Sequence, residues 1–359
     1  MCIRDSSLIA ANISAEQIIG MSGQGFVVGM AIATYELTAA IALIVMAKYF
    51  LPLFLKKQIY TMPQFLEQRF DKRVSLVLAF FWLAVYVFIN LTSVLWLGSL
   101  AINTLTGLET FYGLVLLALL SLAYSLWGGL KAVALTDIIQ VVLLIFGGLA
   151  VSFIALQKIG DGYIGNGLIT VFQAVPDKFD MILSEDNPSY SDLPGVWVLL
   201  GGLWIAHFAY WGFNQYITQR ALGAKSLPEA QKGVMFAAYL KLLMPLVIVL
   251  PGICAAVLFP VLEKSDQAYP TMMTLLPNGL LGLTFAALVA AIVSSLASMT
   301  NSISTIFTMD VYRSFRANSS DATLVSIGRT TSVIALIIAV FAATPLLGSL
   351  ESAFQYIQK

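Results

Sequence analysis

The sequence predicts an all-α polytopic membrane protein, and three observations predict it. Of 359 residues, 59% are hydrophobic and only 11% charged, more apolar sequence than a water-soluble core can use. Apolar stretches of about 20 residues, the length that crosses a bilayer, recur from end to end. Two polar, glycine-bearing interruptions, one of Leu8-Ile-Ala-Ala-Asn-Ile-Ser-Ala-Glu-Gln17 followed by Gly20-Met-Ser-Gly-Gln-Gly25 and one around Gly201 to Gln215, then fall inside stretches that hydropathy marks as spanning. Unpaired backbone groups are tolerable at that depth only where they line a protein-enclosed cavity.

The apolar stretches place spans near 3–24 (broken), 26–54, 74–103, 111–127, 132–157, 195–216 (broken), 234–259, 278–309 and 323–347, with a tenth beginning at about 348. Five spans followed by five, with breaks in the first and sixth, is the pattern of an inverted repeat. The predicted organisation is a first repeat over 1–157, a connecting loop over 158–194 and a second repeat over 195–359. The opening Met1-Cys-Ile-Arg-Asp-Ser6 joins its helix abruptly and Ile357-Gln-Lys359 stops within an apolar stretch, so helices are expected to be missing at both ends.

Loop charge sets the orientation, because lysine and arginine collect on the cytoplasmic side. Lys48, Lys56, Lys57, Arg69, Lys72 and Arg73 follow the second span, Arg220, Lys225 and Lys232 the sixth, and Arg313 and Arg316 the eighth. The loop at 158–194 is acidic, with Asp161, Asp177, Asp180, Glu185, Asp186 and Asp192 against Lys158 and Lys178. The first span is therefore expected to run from inside to outside, in a multi-pass protein of the plasma (inner) membrane. The segment 58–70 is amphipathic and is expected to lie along the cytoplasmic interface.

Zero net charge gives no electrostatic reason to bind nucleic acid. Cys2 and Cys254 form neither a disulfide framework nor a metal-ligand spacing. The glycines at 20–25 follow no strand and precede no Gly-Lys-Ser/Thr, so they are not a nucleotide cradle. With one histidine and no soluble domain, catalytic machinery is hard to assemble, and an enzyme is not expected.

Ionisable and polar groups at membrane depth are costly and usually face a cavity or a partner. Gln17, Glu36, Asn90, His207 and Lys241 stand out in this way. Glu36 and Lys241 read either as cavity groups or as a structural ion pair. His207 lies in the second interruption, within Trp204-Ile-Ala-His-Phe-Ala-Tyr-Trp-Gly212, beside aromatics that suit a sugar ring or an apolar ligand face. Ser294 and Ser295 place adjacent hydroxyls mid-span; they serve close helix packing or, with carbonyls released by a break at Ala10 to Ile13, supply the hard oxygens that sodium needs. Asp137 reads as a helix cap. Broken helices in matching halves point to a secondary transporter.

Taken in order along the whole chain, Ala10-Ala-Asn-Ile-Ser-Ala-Glu-Gln17, Tyr124-Ser-Leu-Trp-Gly-Gly-Leu130, Thr136-Asp-Ile-Ile-Gln140, Tyr210-Trp-Gly-Phe-Asn-Gln215, Ala291-Ile-Val-Ser-Ser295 and Phe354-Gln-Tyr-Ile-Gln358 resemble the sodium/solute symporters, and among them the bacterial sodium/galactose (sodium/glucose) cotransporters. The resemblance implies a LeuT-like inverted repeat that carries sodium and a sugar inward together by alternating access, with sodium as the co-transported ion and no organic cofactor. It implies that Gln17, Glu36, Lys241 and Gln358 bond sugar hydroxyls, with Asn12 beside them. Tyr210 would be the inner gate, and Met21, Tyr35 and Phe354 an outer lid. Sodium would sit between the carbonyls of Ala10, Ile13 and Ala291 and the hydroxyls of Ser294 and Ser295. Two positions depart from the galactose-transporter pattern: Ala39 stands where it has serine, and His207 where it has asparagine. The rival expectations are a sodium symporter for an amino acid or a carboxylate and, from another class, a membrane sensor or channel. The sequence specifies neither the sugar, the sodium stoichiometry nor the oligomeric state.

Overall fold

The computed structural model describes residue 13 and residues 15–353 apart from 60, 194, 225 and 351, with the side chains of 127–135 also left out. The described elements are helical: Met21–Val27 (α1), Gly29–Lys56 (α2), Met62–Arg69 (α3), Lys72–Thr106 (α4), Thr110–Ile159 (α5), Ile164–Ala174 (α6), Gly195–Phe213 (α7), Gln215–Leu222 (α8), Leu227–Lys241 (α9), Pro245–Leu258 (α10), Ala268–Met273 (α11), Asn278–Phe315 (α12) and Asp321–Leu347 (α13). Among them, six helical stretches are long and apolar enough to cross a membrane, or seven when α9 and α10, bent by 42° at their junction, count as one.

α5 covers 50 residues, and its contacts show two antiparallel rods. Along α12, Ile292 and Leu117 both close on Gly98, and further on Asn301 accepts a bond from Ser125, so the first part of α5 runs with α12. The second part runs against it, with Asp137 at Ser294 and Gly147 at Thr284. Tyr124 and Thr136 bond through their hydroxyls, although 12 residues of straight helix would separate them by about 18 Å. The chain therefore folds back between them, as separate fourth and fifth spans require.

The glycine run at 20–25 is not unwound. Gln17 and Gly20 lie on a π turn, Glu16–Gly20, which leads directly into α1. The glycines instead let two backbones touch. A Cβ built at Gly25 would lie 2.7 Å from the Val249 carbonyl oxygen, and one at Gly252 only 2.1 Å from that of Ser22. Small residues at such a crossing are how apolar helices pack closely in lipid. The expected break at Ala10 to Ile13 falls mostly outside the described residues.

In the second interruption, Gly201 and Gly202 are helical and face open space. The break is one residue, Asn214, whose extended backbone (φ −81°, ψ 118°) separates α7 from α8. Its side-chain Oδ1 accepts from the Tyr86 hydroxyl at 2.7 Å, and the Tyr86 oxygen accepts the Gln215 N–H at 2.7 Å. The backbone donor that the break would orphan is thereby satisfied.

The amphipathic segment forms α3, opened by Pro63 near its start and by the Thr61 hydroxyl, which accepts the Gln64 N–H. At the opposite end of the bundle, Lys178 of the acidic connection donates to the Val27 carbonyl. There too the loop after α10 meets the end of α13: Lys264 Nζ donates to the carbonyls of Gly348 and Leu350, at 2.6 and 2.9 Å. Cationic groups suit a helix C-terminus, where carbonyls lack partners.

Candidate functional site

A cavity of about 320 Å³ opens between α1, α2, α4, α7 and the end of α9. Three of its walls are π turns. Glu16–Gly20 carries Gln17, Tyr86–Leu91 carries Asn90, and Phe208–Phe213 carries Tyr210. A π turn adds one residue per turn and shifts side chains off the helical stripe, which is why such turns collect at functional sites.

Five polar residues singled out by the sequence meet here. Gln17, Glu36, Asn90, His207 and Lys241 all line the cavity, and each is buried. Lys241 Nζ lies 2.9 Å from Glu36 Oε2 and 3.1 Å from Oε1, and 3.4 Å from Gln17 Oε1. Gln17 in turn donates from Nε2 to Glu36 Oε1 at 2.5 Å. The two readings of Glu36 and Lys241 thus coexist, as an ion pair that forms the cavity wall. The ammonium is also 5.2 Å from the centre of the Trp211 ring, a cation–π contact. Lys241 reaches this point because α9 ends on it, just before the 42° bend. Asn90 keeps its side-chain oxygen without a protein partner among the described residues. Met21 and Tyr35 line the cavity, and Tyr210 pairs its hydroxyl with that of Tyr216 at 2.6 Å across the Asn214 break. Gln358, Phe354 and Asn12 lie outside the described residues.

Sequence reasoning missed Glu16, Trp82 and Asn214 in this wall. Glu16 accepts a bond from the Ser93 hydroxyl. A carboxylate beside Gln17 at membrane depth was itself the available signal.

Asp137 is not a cap. It is fully buried within α5, pairs with Arg220 through Oδ2, and accepts the Ser294 hydroxyl through Oδ1. Arg220, expected in a cytoplasmic loop, is buried on α8 and also donates to the Ser298 hydroxyl. A charge read from position alone looks like a loop charge; only packing reveals that two of them neutralise each other. Ser294 and Ser295 are buried beside Ala291 on α12, and Ile13 is buried as well. Because Ser294 gives its proton to Asp137, its oxygen lone pairs remain for another partner. Ala10 lies outside the described residues.

The cavity thus combines buried charged and polar side chains with apolar and aromatic ones. The model of the sodium:solute symporter family matches residues 4–359. This chain belongs to the sodium:solute symporter family. It is accordingly a multi-pass secondary transporter and not an enzyme. It is 52% identical over 374 residues to the sodium/glucose cotransporter of Vibrio parahaemolyticus, covering 99% of this chain and 68% of that one. It is 35% identical over 366 residues to the uncharacterized symporter YidK of Escherichia coli (strain K12), covering 99% and 63%. The chain thus spans about two thirds of the length of these relatives. Its fold matches that of a Na+-coupled sialic acid symporter in a substrate-bound, outward-open state, with a TM-score of 0.83 at 23% identity over 97% of this chain and 74% of the other.

Proposed function

We propose that the chain couples the inward movement of sodium to uptake of a neutral sugar of the galactose or glucose kind. The observation that carries this is the Gln17–Glu36–Lys241 cluster. Its donors and acceptors are mixed and its charges cancel, as the hydroxyls of an uncharged polyol require. A carboxylate substrate would instead be drawn to an unpaired cation or a helix N-terminus. The Tyr210 and Trp211 rings beside the cluster offer an apolar face to a pyranose.

On this reading the chain is a five-plus-five inverted repeat, with 1–157 and 195–359 as the two halves and 158–194 as the connection. Gln17, Glu36, Asn90, His207, Lys241 and Gln358 bind the sugar, Tyr210 gates it from inside, and Met21, Tyr35 and Phe354 close it from outside. Sodium lies between the carbonyls of Ala10, Ile13 and Ala291 and the hydroxyls of Ser294 and Ser295. In the inner membrane the potential adds about 2.3 kcal/mol per charge per 100 mV to accumulation.

Counterflow in proteoliposomes, with labelled sugars and amino acids and with and without sodium, tests it. Sodium-dependent exchange of a hexose is expected. Exchange of an amino acid alone would replace the substrate class, and sodium-independent flux would remove the coupling.

A further inference from the structure

We propose that His207 is a specificity-determining residue of this cavity, offered to the ligand as a hydrogen-bond acceptor only, because Thr38 fixes which ring nitrogen carries the proton. The specificity claim rests on the proposed sugar site; the proton assignment does not.

The argument is a proton count. Thr38 Oγ1 lies 2.6 Å from the Thr34 carbonyl oxygen and 2.7 Å from His207 Nε2. Two oxygens at 2.6 Å repel unless a proton lies between them, and a carbonyl has none to give. The single hydroxyl proton of Thr38 therefore goes to Thr34, the i−4 bond usual for a helical threonine. Toward His207 the hydroxyl can then only accept, so Nε2 must carry a proton. In the neutral ring Nδ1 is left as a bare lone pair.

Among the described residues the ring makes one hydrogen bond, between Nε2 and Thr38, which leaves that lone pair unfilled. Besides Thr38, the ring meets Tyr35 edge-on, with centroids 6.2 Å apart at 80°, and this contact uses no lone pair. His207 is only 6% exposed, and it shares the cavity wall with Ala39, whose methyl group offers no competing polar atom. A ligand group that reaches Nδ1 must therefore donate. An asparagine there would be indifferent, since its amide both donates and accepts and can turn over. A sugar hydroxyl satisfies Nδ1; fluorine in its place cannot, and leaves two acceptors facing each other in a buried site. Losing a buried bond of this kind lowers affinity by about 10- to 100-fold.

His207 is the sole histidine of the chain, which makes the test direct. Protein labelled with 15N in the imidazole and placed in lipid nanodiscs gives one pair of ring signals, with no ligand required. A proton on Nε2 and a bare Nδ1 are expected at neutral pH. Thr38→Val should release the ring to a mixture of tautomers, and Thr38→Ser should restore the single form. A neutral ring protonated on Nδ1, or a doubly protonated ring, would overturn the assignment. A panel of monofluorinated galactoses and glucoses then reads specificity by equilibrium binding. At one ring position fluorine should cost the wild type about 10- to 100-fold, a penalty that shrinks in His207→Asn and Thr38→Val but persists in Thr38→Ser. An identical panel profile in His207→Asn overturns the specificity role alone. Failure of the wild type to bind any unmodified hexose of the panel overturns the sugar reading and this role with it, while the spectrum still decides the tautomer.

Discussion

Two buried ion pairs sit among the described residues, and they are built in opposite ways. Asp137 and Arg220 are sealed: one carboxylate oxygen takes the guanidinium, the other takes Ser294, and the guanidinium continues to Ser298. Glu36 and Lys241 form a wall: their polar atoms bound an open cavity, shared with Gln17, Asn90 and His207. The sealed pair is bonded to its protein neighbours and ties α5, α8 and α12 together. A pair on a cavity wall has already met its desolvation cost and can exchange partners with an incoming hydroxyl. Burial and charge are the same in both cases, and the adjoining space decides the role.

The largest effect that could break this contrast lies in the sealed pair. Removing one partner of a buried pair costs about 3–5 kcal/mol, so Arg220→Met should lower stability in detergent by that order. Pairing it with Asp137→Asn should recover most of the loss. Thermal unfolding checks both, and an Arg220→Met protein as stable as the parent would show that the pair is not sealed.

For the wall pair the order of effects reverses. Glu36→Gln or Lys241→Met should weaken sugar binding by at least about 2 kcal/mol, roughly 30-fold. The double variant should regain stability without regaining uptake. Uptake restored in the double variant would reduce Glu36 and Lys241 to each other's counter-ions.

A smaller change sharpens the sodium side. Ser295→Ala should raise the sodium concentration for half-maximal uptake about tenfold, the equivalent of about 1.4 kcal/mol, with the order of preferred sugars unchanged. An unaltered sodium activation curve would take Ser295 out of the ion site.

A separate, pH-linked effect concerns Asp266, in the loop after α10. It accepts the Ala353 N–H at 2.7 Å and the Ser352 hydroxyl at 3.1 Å. Burial raises its pKa from 3.8 to about 7, against the pull of those two bonds and of Lys264. The folded state then holds a proton that the unfolded chain has lost, so the linked stability is fully present below about pH 4 and is lost as pH rises through about 7. Asp266→Asn should flatten that slope in unfolding curves recorded across this range, and an unchanged slope would assign it to other groups.

Much of the candidate cavity was legible in the sequence, because a polar side chain is conspicuous against apolar sequence. Gln17, Glu36, Asn90, His207 and Lys241 could each be picked out singly, and each lines the same space. The glycines at 20–25 misled for a physical reason: glycine marks both an unwound backbone and a close helix crossing, and the sequence does not say which. Asp137 and Arg220 misled because the distance that pairs them crosses 83 residues of chain.

The sequence by itself determined the class of molecule and the family, since lipid demands long apolar helices and leaves any polar exception visible. Tertiary structure decided the rest. It turned the backbone over within α5, confined the second break to Asn214 and placed π turns under Gln17, Asn90 and Tyr210. It also set Thr38 against His207 across 169 residues. Each of these depends on which helix faces which, and hydropathy, read one span at a time, does not contain that information.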